Sequence, residues 1–124
     1  PYEAVPGDEA GMRRWLERLS LDGKRSVVLT GVTFAPGQVG AGCLDRADGS
    51  MSFPMAPEVP AHFPGTGDLF ASVVLGTLLR GGRLADATSR AVDFVQRCAA
   101  RTLALGTPVL EGVQFEALLG ELTQ

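Results

Sequence analysis

The sequence predicts an incomplete α/β domain in which helices form layers around a small sheet. Three observations lead to this prediction: an amphipathic helix precedes a short apolar strand, a hairpin follows the strand, and three further helices come after it. One strand of the parallel type and one hairpin make a sheet too small to be covered on both faces. The 124 residues are therefore expected to be part of a larger three-layer fold.

The first two elements are a helix and a strand. The segment 26–30 reads SVVLT, a short apolar run that is typical of a buried, parallel strand. It follows a segment with helical spacing of apolar side chains, which predicts an amphipathic helix over residues 9–20. The apolar positions of this helix are Met12, Trp15, Leu16 and Leu19.

A glycine-rich segment and a hairpin come next. Residues 31–42 contain several glycines and Pro36, so we expect a mobile loop before or within the next strand. Residues 39–46 and 50–56 flank an Asp-Gly pair at positions 48 and 49, which is a hairpin pattern.

Three helices are predicted in the second half of the chain. Leu69–Leu79 is apolar almost all round, which is typical of a helix buried between layers. A long amphipathic helix is predicted over residues 84–103, and a short one near the end contains Phe115, Leu118, Leu119 and Leu122. The inner face of the long helix consists of Leu84, Ala87, Ala91, Phe94, Val95 and Cys98. Its predicted solvated face consists of Asp86, Arg90, Asp93, Arg97 and Arg101.

Composition argues against several classes of function. The net charge of −3 disfavours nucleic acid or an anionic membrane as the main partner. No apolar run reaches the roughly 20 residues of a membrane span. Cys43 and Cys98 belong to no CxxC pair, so we expect free thiols in the reducing cytoplasm and no zinc site. His62 is the only histidine, which excludes mechanisms that need two.

The segment Gly65-Thr66-Gly67-Asp68 carries the clearest chemical signal. Two glycines around a threonine allow a tight turn, and converging backbone N–H groups at the start of a helix form an anion site. A carboxylate here would repel a bound phosphate, but it suits a base that deprotonates an attacking hydroxyl. A structural interpretation also fits, with Asp68 as a helix N-cap and the glycines as an ordinary turn.

The wider segment 62–71, HFPGTGDLFA, resembles the anion-hole signature of the ribokinase-like kinases, and most closely that of the bacterial pyridoxal/pyridoxamine kinases. The similarity continues in order along the chain. Residues 27–32 resemble the strand that leads into the nucleotide loop, and residues 33–42 are similar to the lid segment. Residues 91–95 lie on a helix that resembles the one beside the adenine, and residues 112–116 resemble the C-terminal ending.

This resemblance implies ATP-dependent phosphorylation of the 5′-hydroxymethyl group of pyridoxal, pyridoxine or pyridoxamine. It implies ATP and Mg²⁺ as cofactors, with a monovalent cation as a further candidate, and it assigns no metal ligand in this chain. Asp68 would be the catalytic base. The anion hole would consist of the backbone N–H groups of Gly65, Thr66, Gly67 and Asp68, and the nucleotide-binding residues would be Thr30, Gly31, Thr33, His62 and Phe63.

Alternatives stay open. Thr30 and Gly31 also fit a simple strand-ending turn, and His62 also fits a structural, hydrogen-bonded role. The enzyme could be another ribokinase-like kinase, acting on hydroxymethylpyrimidine or a sugar. A non-catalytic nucleotide-binding fragment or subunit is the alternative outside the enzymes.

The resemblance also indicates what the sequence lacks. Family members are considerably longer, and their N-terminal half supplies most strands of the sheet and the vitamin pocket. An Asn-x-x-Glu motif that helps to organise magnesium would precede Pro1, and the sequence contains no such motif. Residues 1–124 are therefore expected to be the C-terminal, nucleotide-binding part of a kinase domain, inactive alone. We expect a homodimer or association with a complementary chain.

Overall fold

A computed structural model describes residues 4–108 and 111–123. The described elements are α1 (Glu9–Leu19), β1 (Val27–Val32), β2 (Gln38–Leu44), β3 (Met51–Ser52), β4 (Met55–Pro57), α2 (Thr66–Leu79), α3 (Leu84–Leu105) and a terminal 3₁₀ helix (Glu116–Thr123). The predicted combination of helices with a small sheet and the order of elements are confirmed, and the class is a mixed α/β partial domain. Within this part of the chain, no helix combines the length and apolar character that a membrane crossing requires.

Helix α1 begins where its sequence provides a cap. The Asp8 carboxylate accepts a hydrogen bond of 2.9 Å from the Gly11 N–H, which satisfies one of the free donors of the first turn. Met12 and Leu16 are fully buried, as the helical spacing predicts, and they face β1 and β2. Leu19 is exposed, because it lies in the last turn of the helix.

The sheet is antiparallel wherever the structure describes its strands. β2 lies in the middle and pairs with β1 on one side and with β3 and β4 on the other. The expectation of a buried parallel strand over residues 26–30 is wrong. β1 is an edge strand in which residues 27–31 are half-buried or exposed and Val32 is buried. The strand is antiparallel because the chain turns back at once and pairs β1 with the strand that follows it. The predicted hairpin is confirmed by the pairing of Leu44 with Met51.

The predicted mobile loop over residues 31–42 is only partly correct. Residues 31 and 32 belong to β1, a turn occupies residues 33–37, and residues 38–42 belong to β2. Gly40 and Gly42 are required by close approach, because a Cβ atom would lie 1.9 Å from the Pro54 carbonyl oxygen at the first position and 2.9 Å from the Phe53 ring at the second.

The main core lies between the sheet and the helices α2 and α3. Helix α3 packs against α2, β2 and β4. Its predicted inner face is confirmed at Leu84, Ala87, Ala91, Phe94 and Cys98, which are buried, while Val95 is half-buried. Both cysteines are free and buried, in agreement with the prediction.

Helix α2 is covered on one side only. Phe70 and Val73 are buried, but Leu75, Leu78 and Leu79 are 58%, 39% and 78% exposed. We call these three residues the leucine stripe. The apolar sequence predicts a helix buried between layers, whereas among the described residues α3 and the segment that follows it cover α2 and leave the leucine stripe exposed. An uncharged, exposed helix face of this kind is unusual for a complete globular protein.

The terminal helix is a 3₁₀ helix that packs Leu118 and Leu122 against the core, and Phe115, the residue before it, packs there as well. Two arginines of the predicted solvated face of α3 contact it. Arg90 donates to the carbonyl oxygen of Leu122, and Arg97 forms an ion pair with Glu121. Arg97 is exposed, as predicted, whereas Arg90 is half-buried, so the prediction of a solvated side chain is wrong for Arg90. Both side chains supply donors and charge to the last turn of the terminal helix.

Candidate functional site

The segment Gly65–Asp68, here called the anion loop, forms the start of α2. Gly65 has φ = +93°, a left-handed conformation that favours glycine, and it precedes the first helical residue, Thr66. The first intrahelical bond of 3.0 Å runs from the Leu69 N–H to the Gly65 carbonyl oxygen. Among the described residues, nothing accepts a hydrogen bond from the backbone N–H groups of Thr66, Gly67 or Asp68. These three donors and the positive end of α2 form a site suited to an anion.

A cavity of about 360 Å³ lies on one side of the anion loop, and we call it the β1 cavity. Thr66 and Gly67 of the anion loop form part of its wall, and Val92 and Val95 of α3 supply an apolar part. Four of the sequence-predicted nucleotide residues also line it, namely Thr30, Gly31, His62 and Phe63. The fold therefore brings together residues that lie far apart in the sequence.

A second cavity of about 480 Å³, the Asp68 cavity, lies on the other side of the loop. Gly65 and Asp68 line it together with residues of α2 and of the last part of the chain. Its walls are mostly apolar, and they include Leu69, Val73, Val113, Phe115 and Leu119. The anion loop thus separates two cavities and presents different residues to each.

The predicted nucleotide-binding residues differ in solvent exposure, and therefore in how much of each residue a ligand can contact. Thr30, Gly31 and His62 are exposed, and Gly31 lies at an irregularity in the pairing of β1 with β2, with φ = +73°. Phe63 is only 3% exposed and belongs to the main core, so its ring can offer no more than an edge to the β1 cavity.

Thr33 lies in the turn between β1 and β2 and does not line the β1 cavity. Its hydroxyl is 2.7 Å from the Gln38 carbonyl oxygen and 3.1 Å from that of Ala35, and it can donate to one of them at a time. The local function of this side chain is therefore to stabilise the turn.

Asp68 is exposed, and it lines the Asp68 cavity. Glu111 is the other carboxylate on the wall of that cavity. In the two described ranges, no group of three or more histidine, cysteine, aspartate or glutamate side chains is placed to hold a metal ion.

Sequence reasoning missed a contact between the anion loop and the last part of the chain. The Val113 N–H donates a hydrogen bond of 3.0 Å to the carbonyl oxygen of Pro64, the residue before the loop. Gly112 has φ = +76°, and a Cβ atom there would lie 2.9 Å from the same oxygen. The only sequence signal for this contact is the glycine itself, because a positive φ beside a close backbone approach favours glycine.

Comparison with solved structures gives matches over nearly the whole chain, whereas no protein-family model and no curated protein matches it significantly. A candidate phosphomethylpyrimidine kinase of Bacteroides thetaiotaomicron matches with a TM-score of 0.90 and 30% identity, over 100% of this chain and 42% of its own. A second crystal form of a candidate phosphomethylpyrimidine kinase of that organism, which contains pyridoxal, matches with a TM-score of 0.86 at 30% identity, over 100% of this chain and 44% of its own.

Two pyridoxal kinases also match. That of Lactobacillus plantarum has a TM-score of 0.82 and 32% identity, over 98% of this chain and 43% of its own. That of Entamoeba histolytica has a TM-score of 0.75 at 15% identity, which shows a common fold alone. The chain spans less than half the length of each of these proteins. The family resemblance in the sequence is confirmed: the chain has the structure of one part of a ribokinase-like kinase, similar to the pyridoxal and phosphomethylpyrimidine kinases.

Proposed function

We propose that the chain forms the ATP-binding side of a kinase that phosphorylates the 5′-hydroxymethyl group of pyridoxal, pyridoxine or pyridoxamine. The observation that carries this proposal is the position of the anion loop between two cavities. A phosphoryl group held by the loop would have a nucleotide on one side and an acceptor hydroxyl on the other.

The β1 cavity is the proposed nucleotide site. Its apolar wall on α3, at Val92 and Val95, suits the adenine ring, and its exposed Thr30 and Gly31 suit the phosphates. Thr66 and Gly67 of the anion loop also line this cavity, so their free N–H groups would bind the phosphate chain of a nucleotide placed there. Because their positions are fixed by the helix start, they would stabilise the charge that develops on the transferring group without reorganisation.

Asp68 is the proposed base on the acceptor side. It would accept the proton of the hydroxymethyl group as that oxygen forms a bond to the γ-phosphorus, and the bond from that phosphorus to the β–γ bridging oxygen would break to release ADP. Asp68 lines the Asp68 cavity and not the β1 cavity, which supports a role for it on the acceptor side.

The leucine stripe supports the further proposal that the chain works together with the complementary part of such a fold. The solved kinases that it matches contain more than half of their length outside the matched region. We propose that this complementary part, in the same polypeptide or in another, covers the stripe and completes the acceptor pocket. Magnesium ligands are also expected there, and no step of the proposal depends on them.

Phosphorylation of a hydroxymethylpyrimidine is the second candidate function. It is favoured by the match to a candidate phosphomethylpyrimidine kinase, whereas a crystal form containing pyridoxal favours the first candidate. Both ring systems carry a hydroxymethyl group, so the same base and anion loop would serve either.

The test compares Asp68→Asn with wild type in a kinase that contains this chain and its complementary part. Loss of the base is expected to lower turnover about 10²- to 10⁴-fold while ATP binding is retained. The matched control is Asp86→Asn, which changes an exposed aspartate in the first turn of α3 and should leave turnover unchanged. A rate within a few-fold of wild type for Asp68→Asn would contradict the proposal, and parallel assays with pyridoxal and hydroxymethylpyrimidine distinguish the two substrates.

A further inference from the structure

We infer that Thr102 on α3 is a positioning residue for the anion loop and acts through residues 111–115. The inference rests on the proposed function, because it assumes that the anion loop binds phosphate. Thr102 lies near the end of α3 and does not line either cavity, so neither the sequence pattern nor the cavities alone would single it out.

Thr102 is 0% exposed, and its hydroxyl both donates and accepts a hydrogen bond. The hydroxyl donates a bond of 2.7 Å to the Cys98 carbonyl oxygen and accepts a bond of 2.8 Å from the Gln114 N–H. Back-bonding to the residue four positions earlier is common for a threonine in a helix. The second bond is different, because it fixes the backbone of a separate segment against α3.

The residue next to Gln114 continues the connection to the anion loop. The Val113 N–H donates to Pro64, and Gly65 follows with its left-handed conformation. Since the two donors belong to consecutive residues, the orientation of the backbone at 113–114 sets both bonds. Thr102 therefore helps to hold the carbonyl of Pro64, and through it the residue whose conformation directs the N–H groups of Thr66 and Gly67.

Loss of the hydroxyl would leave the Gln114 N–H without its acceptor. Residues 112 and 113 are buried, and the segment would have to shift to find another partner for that donor. The bond to Pro64 would weaken with that shift, and the donors of the anion loop would be less well preorganised for phosphate. The apolar part of the β1 cavity, which is built by α3 and the sheet, would not change.

The chain contains a matched control for this effect. Thr88 lies on the same helix, is also 0% exposed, and donates a bond of 2.8 Å to the Leu84 carbonyl oxygen four positions earlier. In the described residues its hydroxyl accepts no bond from another segment. Thr88→Val and Thr102→Val therefore remove the same kind of helix bond, and only the second removes a bond to residues 111–115.

The experiment measures the dissociation constants of ATP and of adenosine for the chain by titration calorimetry. Thr102→Val is expected to lower the preference for ATP over adenosine by about 2- to 10-fold, the effect of one neutral hydrogen bond, with adenosine binding unchanged. Thr88→Val should keep the wild-type preference, and Thr102→Ser should restore it because the hydroxyl remains. If valine prevents folding, Thr102→Ser and Thr102→Ala provide the same comparison.

An unchanged preference in Thr102→Val, or an equal loss in Thr88→Val, would overturn the inference and leave the proposed function intact. A wild-type chain that binds adenosine but has no preference for ATP would overturn the phosphate-binding function of the anion loop, and the inference with it.

Discussion

The Val113 N–H and the Pro64 carbonyl oxygen, 3.0 Å apart, connect the last loop of the chain to the residue that precedes the anion loop. The contact holds the backbone on the N-terminal side of Gly65, where the chain enters the left-handed conformation that starts α2. The geometry of the proposed phosphate site therefore depends on residues distant from it in the sequence.

Gly112→Ala is expected to disturb this contact. The substitution places a side chain at φ = +76° and a Cβ atom 2.9 Å from the Pro64 oxygen, so we expect a loss of about 1–3 kcal/mol in the free energy of unfolding, together with weaker ATP binding. Gly106→Ala is the control, because Gly106 has φ = +67° with no atom near the new Cβ. Urea unfolding and ATP titration check both effects, and a control variant that loses as much ATP affinity as Gly112→Ala would contradict this explanation.

Of the predicted lid, residues 33–42, only the turn at 33–37 lies outside a strand. Phe34 forms an edge-to-face contact with Phe53, with ring centroids 5.5 Å apart. Phe34→Ala should raise amide exchange at Glu58, whose N–H donates a bond of 2.9 Å to the Gly37 carbonyl oxygen of the turn, roughly 2- to 10-fold, since such aromatic pairs contribute about 0.5–1.5 kcal/mol. Amides of β2 should stay protected with and without ATP and serve as the internal control. Equal exchange at Glu58 in both proteins would show that the aromatic contact does not hold the turn.

Periodicity predicted most of this fold, because the buried faces of α1 and α3 follow from helical spacing alone. The direction of β1 could not be predicted, since it depends on which strand lies beside it. Gly40 and Gly42 show a second limit. Glycine occurs both where a loop is flexible and where two segments approach closely. Only the positions of Pro54 and Phe53 in the structure show that Gly40 and Gly42 are needed for close approach. The GTGD motif coincides with the start of α2, but a single threonine at 102 gives no sign that it contacts residues 111–115.

The leucine stripe is expected to drive association of the chain in the absence of a complementary part. The double variant Leu75→Glu/Leu79→Glu should be monomeric at concentrations where the wild type associates, because it places charges on the exposed apolar face. Val5→Glu, at a site that is 65% exposed before α1, is the control. In sedimentation experiments, a single dimeric species would indicate that two copies of the chain cover each other's stripe. A continuous range of larger species would indicate that the stripe normally packs against a complementary part. A compact wild-type monomer would contradict the prediction.

Because of Cys98, the free energy of unfolding of the chain should depend on pH in the alkaline range. Burial raises the pKa of this thiol from 9.0 to about 11, so the folded chain keeps a proton that the unfolded chain loses. The free energy of unfolding should therefore fall as the pH rises from 9.0 to about 11. Urea unfolding across this range checks the effect. Cys98→Ala should reduce the slope and Cys43→Ala should keep it, whereas identical slopes in all three proteins would exclude this thiol as the cause.

The most direct test of the central claim is an NMR titration of the chain with ATP and, separately, with adenosine. If the anion loop binds the phosphates of a nucleotide in the β1 cavity, ATP should shift the amide signals of Thr66, Gly67 and Asp68, whose N–H groups have no acceptor among the described residues. Adenosine should shift signals of the β1 cavity on α3, such as Val92 and Gln96, and leave the three loop amides unchanged. ATP binding that shifts the α3 signals but not those of Thr66, Gly67 and Asp68 would contradict the account.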